Sequence, residues 1–334
     1  MDEKMEIMIY EFAISAAAVF VLTVLFTHWL IPYLKSKKMG QKILEIGPRW
    51  HKSKDGTPTM GGVGFILATL IVTVGVSVYA FVFSDASELQ SLALTIGLAT
   101  INGLIGIIDD RCKLLKKENQ GLLAYQKFLL QVGAAVVYLF ALNRTGHIDT
   151  SLHIPFTAFE LELGWFYYVF AAILVVGVVN SVNLTDGIDG LASGVTFVVG
   201  AFFAAVAFSL RDTALSFASA TIIGSTLGFL VYNFNPARIF MGDTGSLFLG
   251  GMVVGCAFMI NEPLIIVICG LVYIIEALSV MIQVGVFKLT HGYRVFKMAP
   301  IHHHFEKCGW SERKVFTVFC IVTLICSLIA WFAI

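Results

Sequence analysis

The sequence predicts an all-α integral membrane protein, a polytopic bundle of about ten transmembrane helices that forms one domain over residues 1–334. Hydrophobic residues make up 58% of the chain and charged residues only 13%, against about 45–50% and about 25% in soluble domains. The mean hydropathy is +0.86, and the apolar runs reach the roughly 20 residues that a helix needs to cross a bilayer. This composition argues against a soluble enzyme, a disordered tail or a secreted disulfide scaffold.

The spans are predicted to be helices because a helix satisfies its own backbone hydrogen bonds in hydrocarbon. The apolar runs place them at about 9–33, 60–83, 89–108, 124–142, 164–182, 190–210, 214–233, 245–261, 263–287 and 314–333. Pro58 followed by Thr59 predicts a helix start with Thr59 as the N-cap. Gly251 and Gly255 have the spacing of small residues at packed helix interfaces. In the loop 143–163, apolar alternation favours a short hairpin.

Lysine and arginine predict the orientation of the bundle. Three of the 22 lie on one side of the predicted spans, and 19 lie on the other, in the loops 34–59, 109–127, 234–244 and 288–314. Cytoplasmic loops are enriched in these residues, so we expect the basic loops in the cytoplasm and both termini outside.

Five aspartates lie where a predicted cytoplasmic loop meets a span: Asp109, Asp110, Asp186, Asp189 and Asp243. Ionisable residues at membrane depth are costly and are usually retained for function. Any one of these can be an ordinary loop charge or a helix cap. Five together on one face, beside glycines, indicate a functional site.

The spacing of these residues predicts how they converge. Asn183, Asp186 and Asp189 share one face if the segment is helical, and if it is a loop, its glycines let the backbone approach a ligand. Asp109 and Asp110 are neighbours, which point about 100° apart on a helix. We therefore expect them to have two roles and not to aim at one atom. Asp243 starts a span, where an acid can also simply compensate the helix dipole.

Converging carboxylates favour Mg²⁺, which prefers one or two protein carboxylates and substrate phosphates. Lys54 precedes a turn-rich entry to a span, where a lysine can meet a phosphate. His302, His303 and His304 form a solvated loop, a metal site or donors to a phosphate or base. The donor role is favoured, because three adjacent residues rarely bind one ion together. Glu276 lies within the ninth predicted span. It faces a partner or a cavity, or marks a break in that helix, and the sequence leaves these alternatives open.

Five motifs, in this order along the chain, resemble those of the polyprenyl-phosphate N-acetylhexosamine-1-phosphate transferases. They are GTPTMGG at 56–62, DDRCK at 109–113, NLTDGIDG at 183–190, NFNPARIFMGDTG at 233–245 and APIHHHFE at 299–306. The first and last are most similar to the branch of the family that uses UDP-MurNAc-pentapeptide. The resemblance covers essentially the whole chain.

The resemblance implies that the chain transfers phospho-MurNAc-pentapeptide from UDP-MurNAc-pentapeptide to undecaprenyl phosphate. The products would be lipid I and UMP, in the first membrane step of peptidoglycan synthesis, with Mg²⁺ as the cofactor. It implies a multi-pass protein of the bacterial plasma membrane, a homodimer, with its active site facing the cytoplasm. No nucleic-acid partner is expected.

The resemblance also assigns residues. Asp243 would ligate Mg²⁺, and Asp109 and Asp110 would lie near the lipid phosphate and, with Asp243, form the catalytic set. Phe240 would lie beside the uracil. The predicted nucleotide- and substrate-binding residues are Lys54, Thr59, Lys113, Lys117, Asn183, Asp186, Asp189, Asn233, Phe240, His302, His303 and His304.

Two mechanisms are open at this point. In the first, Asp109 deprotonates the lipid phosphate, which attacks the sugar-bearing phosphate directly, and Asp110 orients Asp109 or the metal. In the second, a carboxylate first forms a covalent phospho-enzyme. Two other functions also compete: a relative that uses UDP-N-acetylglucosamine, and a transporter. A transporter is disfavoured because only Glu276 lies deep in a predicted span.

Overall fold

The computed structural model describes residues 3–37, 40, 54, 56–83, 86–116 and 121–334. The α-helices are α1 (Glu3–Ser36), α2 (Gly62–Phe83), α3 (Gln90–Lys116), α4 (Ala124–Arg144), α5 (Phe166–Thr185), α6 (Leu191–Leu210), α7 (Thr213–Asn233), α8 (Gly242–Met259), α9 (Ile265–Cys269), α10 (Leu271–Leu289), α11 (Ile301–Lys307) and α12 (Glu312–Trp331). Strands β1 (Ser151–His153) and β2 (Glu160–Glu162) form an antiparallel hairpin. Within these described residues, ten helices are long and apolar enough to cross a membrane: α1 to α8, α10 and α12. The predicted helical class, the number of candidate spans and the hairpin are confirmed.

The start of α2 differs from the prediction. The helix begins at Gly62, so Thr59 is not its N-cap. Met60 has a φ of 69°, a left-handed conformation that turns the chain before the helix starts. The N–H groups of Gly61 and Gly62 donate to the carbonyls of Phe240 and Met241. Pairing with a distant loop, and not a local cap, therefore sets where α2 begins.

The ninth predicted span is broken at Gly270, which separates the short helix α9 from α10. The apolar run continues through the break, so hydropathy alone does not reveal it. The histidine triplet also differs from a plain loop, because His302, His303 and His304 lie on the short helix α11.

Helix α8 lies at the centre of the bundle. Every residue from Thr244 to Phe258 is buried, and α8 packs against α2, α3, α5, α6 and α7. Its glycines allow close approach: a Cβ on Gly251 would lie 2.7 Å from the Ala99 Cα, and one on Gly255 would collide with Thr95. The packing role predicted for these two glycines is confirmed. Close glycine contacts of this kind hold membrane helices together where lipid supplies no hydrophobic driving force.

Candidate active site

Three carboxylates converge where the carboxyl-terminal part of α3 meets the amino end of α8. Asp109, Asp110 and Asp243 each offer one carboxylate oxygen, and these oxygens lie within 4.8 Å of one another. Helix α3 continues past the predicted span through Lys116, so the two neighbouring acids are helical. A 100° separation at the backbone does not keep their side-chain oxygens apart. The expectation that Asp109 and Asp110 could not aim at one point is therefore wrong.

The two neighbouring acids nevertheless have different partners, as the expected division into two roles requires. The Asp110 carboxylate accepts from Thr244 N–H at 2.9 Å, from Thr244 Oγ1 at 2.7 Å and from Asp243 N–H at 3.2 Å. It thus caps the amino end of α8 from another helix, where no local side chain does so. Asp109 instead accepts from Leu122 N–H at 2.8 Å and pairs with Lys113 Nζ at 2.7 Å.

Asp243 is surrounded by donors from three helices. Its Oδ2 pairs with Lys113 Nζ at 3.0 Å and with Lys127 Nζ at 2.7 Å. Its Oδ1 accepts from Asn183 Nδ2 at 3.0 Å, and the same amide nitrogen donates to Ser246 at 2.8 Å. Asp110 supplies the helix cap, and the Asp243 carboxylate faces side-chain donors from α3, α4 and α5.

A second cluster surrounds Lys54. Its Nζ lies 2.7 Å from Asp189 Oδ1 and 2.6 Å from Glu312 Oε2. Glu312 also accepts from the Asp189 backbone N–H at 3.1 Å, and the other Asp189 oxygen accepts from Asn235 Nδ2 at 3.1 Å. The cluster ties the segment before α2, the turn between α5 and α6, and the start of α12 together.

Two loops join these clusters. Phe240 N–H donates to the Pro58 carbonyl at 2.8 Å, and the Phe240 carbonyl accepts from Gly61 N–H at 2.8 Å. Asn233 is 1% exposed; it donates to the Ile239 carbonyl and accepts from Gly190 N–H. It thereby clamps the turn after α5 onto the loop before α8. The ring of Phe240 is half-buried.

Thr59 is buried beside this junction. A Cβ on Gly242 would lie 2.9 Å from Thr59 Oγ1 and would also collide with the Asp110 carboxylate. Gly242 has a φ of 69°, which a residue with a side chain rarely adopts. Glycine is therefore required on two grounds directly before Asp243.

Asp186 follows the last residue of α5 in a turn, which settles the open alternative for this segment: Asn183 is helical, and Asp186 and Asp189 are not. Burial, together with the negative charges of Asp243, Asp110 and Asp189, raises the pKa of the Asp186 carboxyl well above its usual range. The negative charges of both clusters therefore act on the Asp186 carboxyl.

The three histidines diverge. His302 is buried against Gly187, where a Cβ would collide with its Nε2, and its Nδ1 lies 3.1 Å from Glu276 Oε1. His303 pairs with Glu306 at 2.6 Å. His304 Nδ1 accepts from the Lys297 N–H at 3.1 Å. His302 is the histidine whose ring lies against the turn that carries Asp186.

Sequence reasoning missed Lys127 and Glu312. Lys127 lies in a basic loop whose charge predicts only the topology, and Glu312 resembles an ordinary acid in the first turn of α12. Their positions in the sequence do not indicate a role in the site, because both residues reach it only through tertiary packing. Lys117, predicted to bind substrate, lies outside the described residues.

The donor set of the acidic cluster fits a magnesium ion. Three carboxylates supply hard oxygen ligands close together, which is the ligand type that Mg²⁺ prefers. The ammonium groups of Lys113 and Lys127 contact Asp243 Oδ2. An ion bound to that oxygen would have to displace at least one of them.

Two comparisons relate the chain to known proteins. Residues 91–261 match the model of the family described as glycosyl transferase family 4, and that segment contains all three acids of the cluster. A phospho-N-acetylmuramoyl-pentapeptide-transferase of Staphylococcus aureus (strain bovine RF122 / ET3-1) is 47% identical over 327 residues, which cover 96% of this chain and 98% of the relative. The protein of the same name from strain JH9 gives the same values. The chain therefore belongs to glycosyl transferase family 4 and, within it, to the phospho-N-acetylmuramoyl-pentapeptide-transferases.

Proposed function

We propose that this protein transfers phospho-MurNAc-pentapeptide from UDP-MurNAc-pentapeptide to undecaprenyl phosphate, giving lipid I and UMP. The observation that carries the proposal is the convergence of Asp109, Asp110 and Asp243 within 4.8 Å at one end of the bundle. The 47% identity to named relatives over nearly the whole chain supports the muramoyl substrate.

In the proposed reaction an oxygen of the lipid phosphate attacks the phosphorus that carries the sugar. The bond from that phosphorus to the bridging oxygen breaks, and UMP leaves with the electron pair. Mg²⁺, held by Asp243 with Asp109 and Asp110 nearby, would supply positive charge to the pyrophosphate. Lys113 and Lys127, which neutralise Asp243 here, are placed to pair with phosphate oxygens once substrate binds.

Asp109 is the proposed base that takes the proton of the lipid phosphate. Its Oδ2 pairs with Lys113 at 2.7 Å, so an ammonium group lies directly beside the carboxylate that would accept the proton. Asp110 is a positioning residue in this scheme, because its oxygens are engaged by Asp243 N–H and by Thr244. It holds the amino end of α8, and hence Asp243, in place.

The nucleotide is proposed to bind over the second cluster and the adjoining loops. Lys54, Asn183, Asp186 and Asp189 would surround it, with Phe240 beside the uracil. Lys54 is held by two carboxylates. A phosphate would therefore compete with Asp189 and Glu312 for its ammonium group.

We place the site at the cytoplasmic face of the bacterial plasma membrane. The support is the distribution of charge, since 19 of the 22 lysines and arginines lie in loops on that side of the predicted spans. A soluble, charged nucleotide and a membrane lipid with its phosphate at the inner leaflet can meet there. The homodimer stays a prediction.

Purified protein should form lipid I and release UMP from UDP-MurNAc-pentapeptide and undecaprenyl phosphate, and a chelator should stop the reaction until Mg²⁺ is restored. UDP-N-acetylglucosamine is the matched substrate control. If UMP is released from UDP-N-acetylglucosamine alone, that nucleotide sugar replaces UDP-MurNAc-pentapeptide as the proposed substrate. If UMP is released from neither nucleotide sugar, the proposed function is wrong.

Rapid-quench experiments distinguish the one-step from the two-step mechanism. Enzyme mixed with labelled UDP-MurNAc-pentapeptide, without lipid acceptor, should carry no label on the protein if the transfer is direct. A labelled phospho-enzyme that forms fast enough to account for turnover would rule out direct attack.

A further inference from the structure

One buried acid has no part in the proposed mechanism. Glu276 lies on α10 and is 0% exposed, and its partner His302 on α11 is also 0% exposed. Their nearest polar atoms, Oε1 and Nδ1, are 3.1 Å apart, but the contact lacks the angles of a hydrogen bond. Among the described residues, no group forms a hydrogen bond with either carboxylate oxygen or either ring nitrogen.

Such an arrangement is costly for stability. A buried polar atom without a hydrogen-bond partner destabilises the folded state, and the cost is larger when the atom is charged. Ionisable residues within membrane spans are therefore rare unless they serve function. By contrast, the nearby buried Tyr273 on the same helix forms a 2.7 Å hydrogen bond with Thr196.

The imidazole connects Glu276 to the proposed nucleotide site. The edge of the His302 ring that contains Nε2 lies against Gly187, so closely that a Cβ there would collide with it. Gly187 stands between Asp186 and Asp189 in the turn after α5. His302 therefore packs against this turn through the Nε2 edge of its ring. The other ring nitrogen, Nδ1, lies within reach of the Glu276 carboxylate.

We propose that Glu276 is a positioning residue for the nucleotide sugar: its carboxylate holds the His302 imidazole under Gly187, and the imidazole fixes the turn that carries Asp186 and Asp189. The inference rests on the proposed function, since it assigns that turn to nucleotide binding. It predicts an effect on the nucleotide side alone, because neither Glu276 nor His302 contacts Asp109 or Lys113 in the structure.

The test compares Glu276→Leu, Glu276→Gln and wild type by steady-state UMP release and by thermal unfolding. In Glu276→Leu, the KM for UDP-MurNAc-pentapeptide should rise roughly tenfold or more, because the buried polar contact that positions His302 is lost. The KM for undecaprenyl phosphate and the kcat should stay within about twofold. Glu276→Gln keeps an oxygen beside His302 Nδ1 without the negative charge, so its KM should lie between those of Glu276→Leu and wild type.

Thermal unfolding separates positioning from simple packing. Because the carboxylate lacks a hydrogen bond, Glu276→Leu should unfold at the same temperature as wild type or higher, although it binds nucleotide more weakly. The matched control is Tyr273→Phe, which removes a satisfied buried hydroxyl from the same helix. It should lower the unfolding temperature and leave both KM values unchanged.

An unchanged nucleotide KM in both Glu276 variants would overturn the inference and leave the proposed function standing. So would a fall in kcat and unfolding temperature without a change in KM, since that result describes structural damage. If wild type itself releases no UMP from either nucleotide sugar, the proposed function fails, and this inference fails with it.

Discussion

Replacing Asp110 with asparagine should loosen the amino end of α8. The carboxylate accepts three hydrogen bonds there, from Thr244 N–H at 2.9 Å, Thr244 Oγ1 at 2.7 Å and Asp243 N–H at 3.2 Å. Asparagine can keep the two Thr244 bonds through its single oxygen. Its amide nitrogen then faces the Asp243 N–H, which is left without an acceptor.

The size of the effect follows from these contacts. Losing one hydrogen bond to a charged group costs about 1.5–3 kcal/mol. The Asp110 side chain is only 4% exposed, so solvent replaces little of this bond. We therefore expect Asp110→Asn to lower the free energy of unfolding by about 1.5–3 kcal/mol.

Asp109→Asn is the matched control. It keeps an acceptor for Leu122 N–H and loses mainly the ion pair with Lys113, whose side chain is 32% exposed. That loss should cost about 1 kcal/mol or less. This variant should lose turnover as the proposed base is removed, while it still binds nucleotide.

Unfolding can be followed with a thiol-reactive fluorogenic dye, because Cys256 and Cys269 are fully buried until the bundle opens. Asp110→Asn should unfold roughly 5 °C below wild type, and Asp109→Asn should stay close to wild type. Equal unfolding temperatures for all three proteins would refute the claim that Asp110 caps α8. Loss of nucleotide binding in Asp109→Asn would remove that residue from the role of base.

Three further predictions follow from the same site. Asp243→Ala should abolish UMP release at any Mg²⁺ concentration, and residual Mg²⁺-dependent turnover would show that the metal is held elsewhere. Lys127→Met leaves Asp243 Oδ2 with one ammonium partner instead of two, so Mn²⁺ binding measured by electron paramagnetic resonance should tighten several-fold; weaker binding would contradict a competing role for Lys127. Because the pKa of Asp186 is raised, its ionised form destabilises the fold at high pH and this cost disappears as pH falls. Asp186→Asn should therefore unfold at a higher temperature than wild type at about pH 8, with the difference vanishing toward about pH 4; a difference that does not change with pH would contradict the shift.

The sequence predicts the bundle well because hydropathy reports directly which segments can lie in lipid. All ten spans were placed from apolar runs, with ends that differ from the helices mostly by a few residues. The sequence predicts the structure less well where tertiary contacts determine the start or end of a helix. The start of α2 is set by backbone bonds to Phe240 and Met241, and nothing near Thr59 in the sequence records those partners.

The candidate site shows the same division. Asp109, Asp110 and Asp243 could be selected from the sequence because acids are scarce and these lie at span ends. Lys127 and Glu312 could not, since a lysine in a basic loop and an acid in a first turn have ordinary explanations. The partner of Glu276 was also hidden, because 26 positions separate it from His302 and only the packing of α11 brings them together.

The complete enclosure of α8 has a consequence for how the enzyme meets its membrane. A helix with neighbours on every side from Thr244 to Phe258 touches no acyl chains along that stretch, whereas α1 and α10 face outward over much of their length. Changes in bilayer thickness act on a helix through its lipid contacts, so they should tilt the outer helices first. The end of the molecule that carries the proposed metal ligands is thereby separated from the lipid, and we expect a change of detergent or lipid to alter access of the proposed polyprenyl substrate before it alters the chemistry.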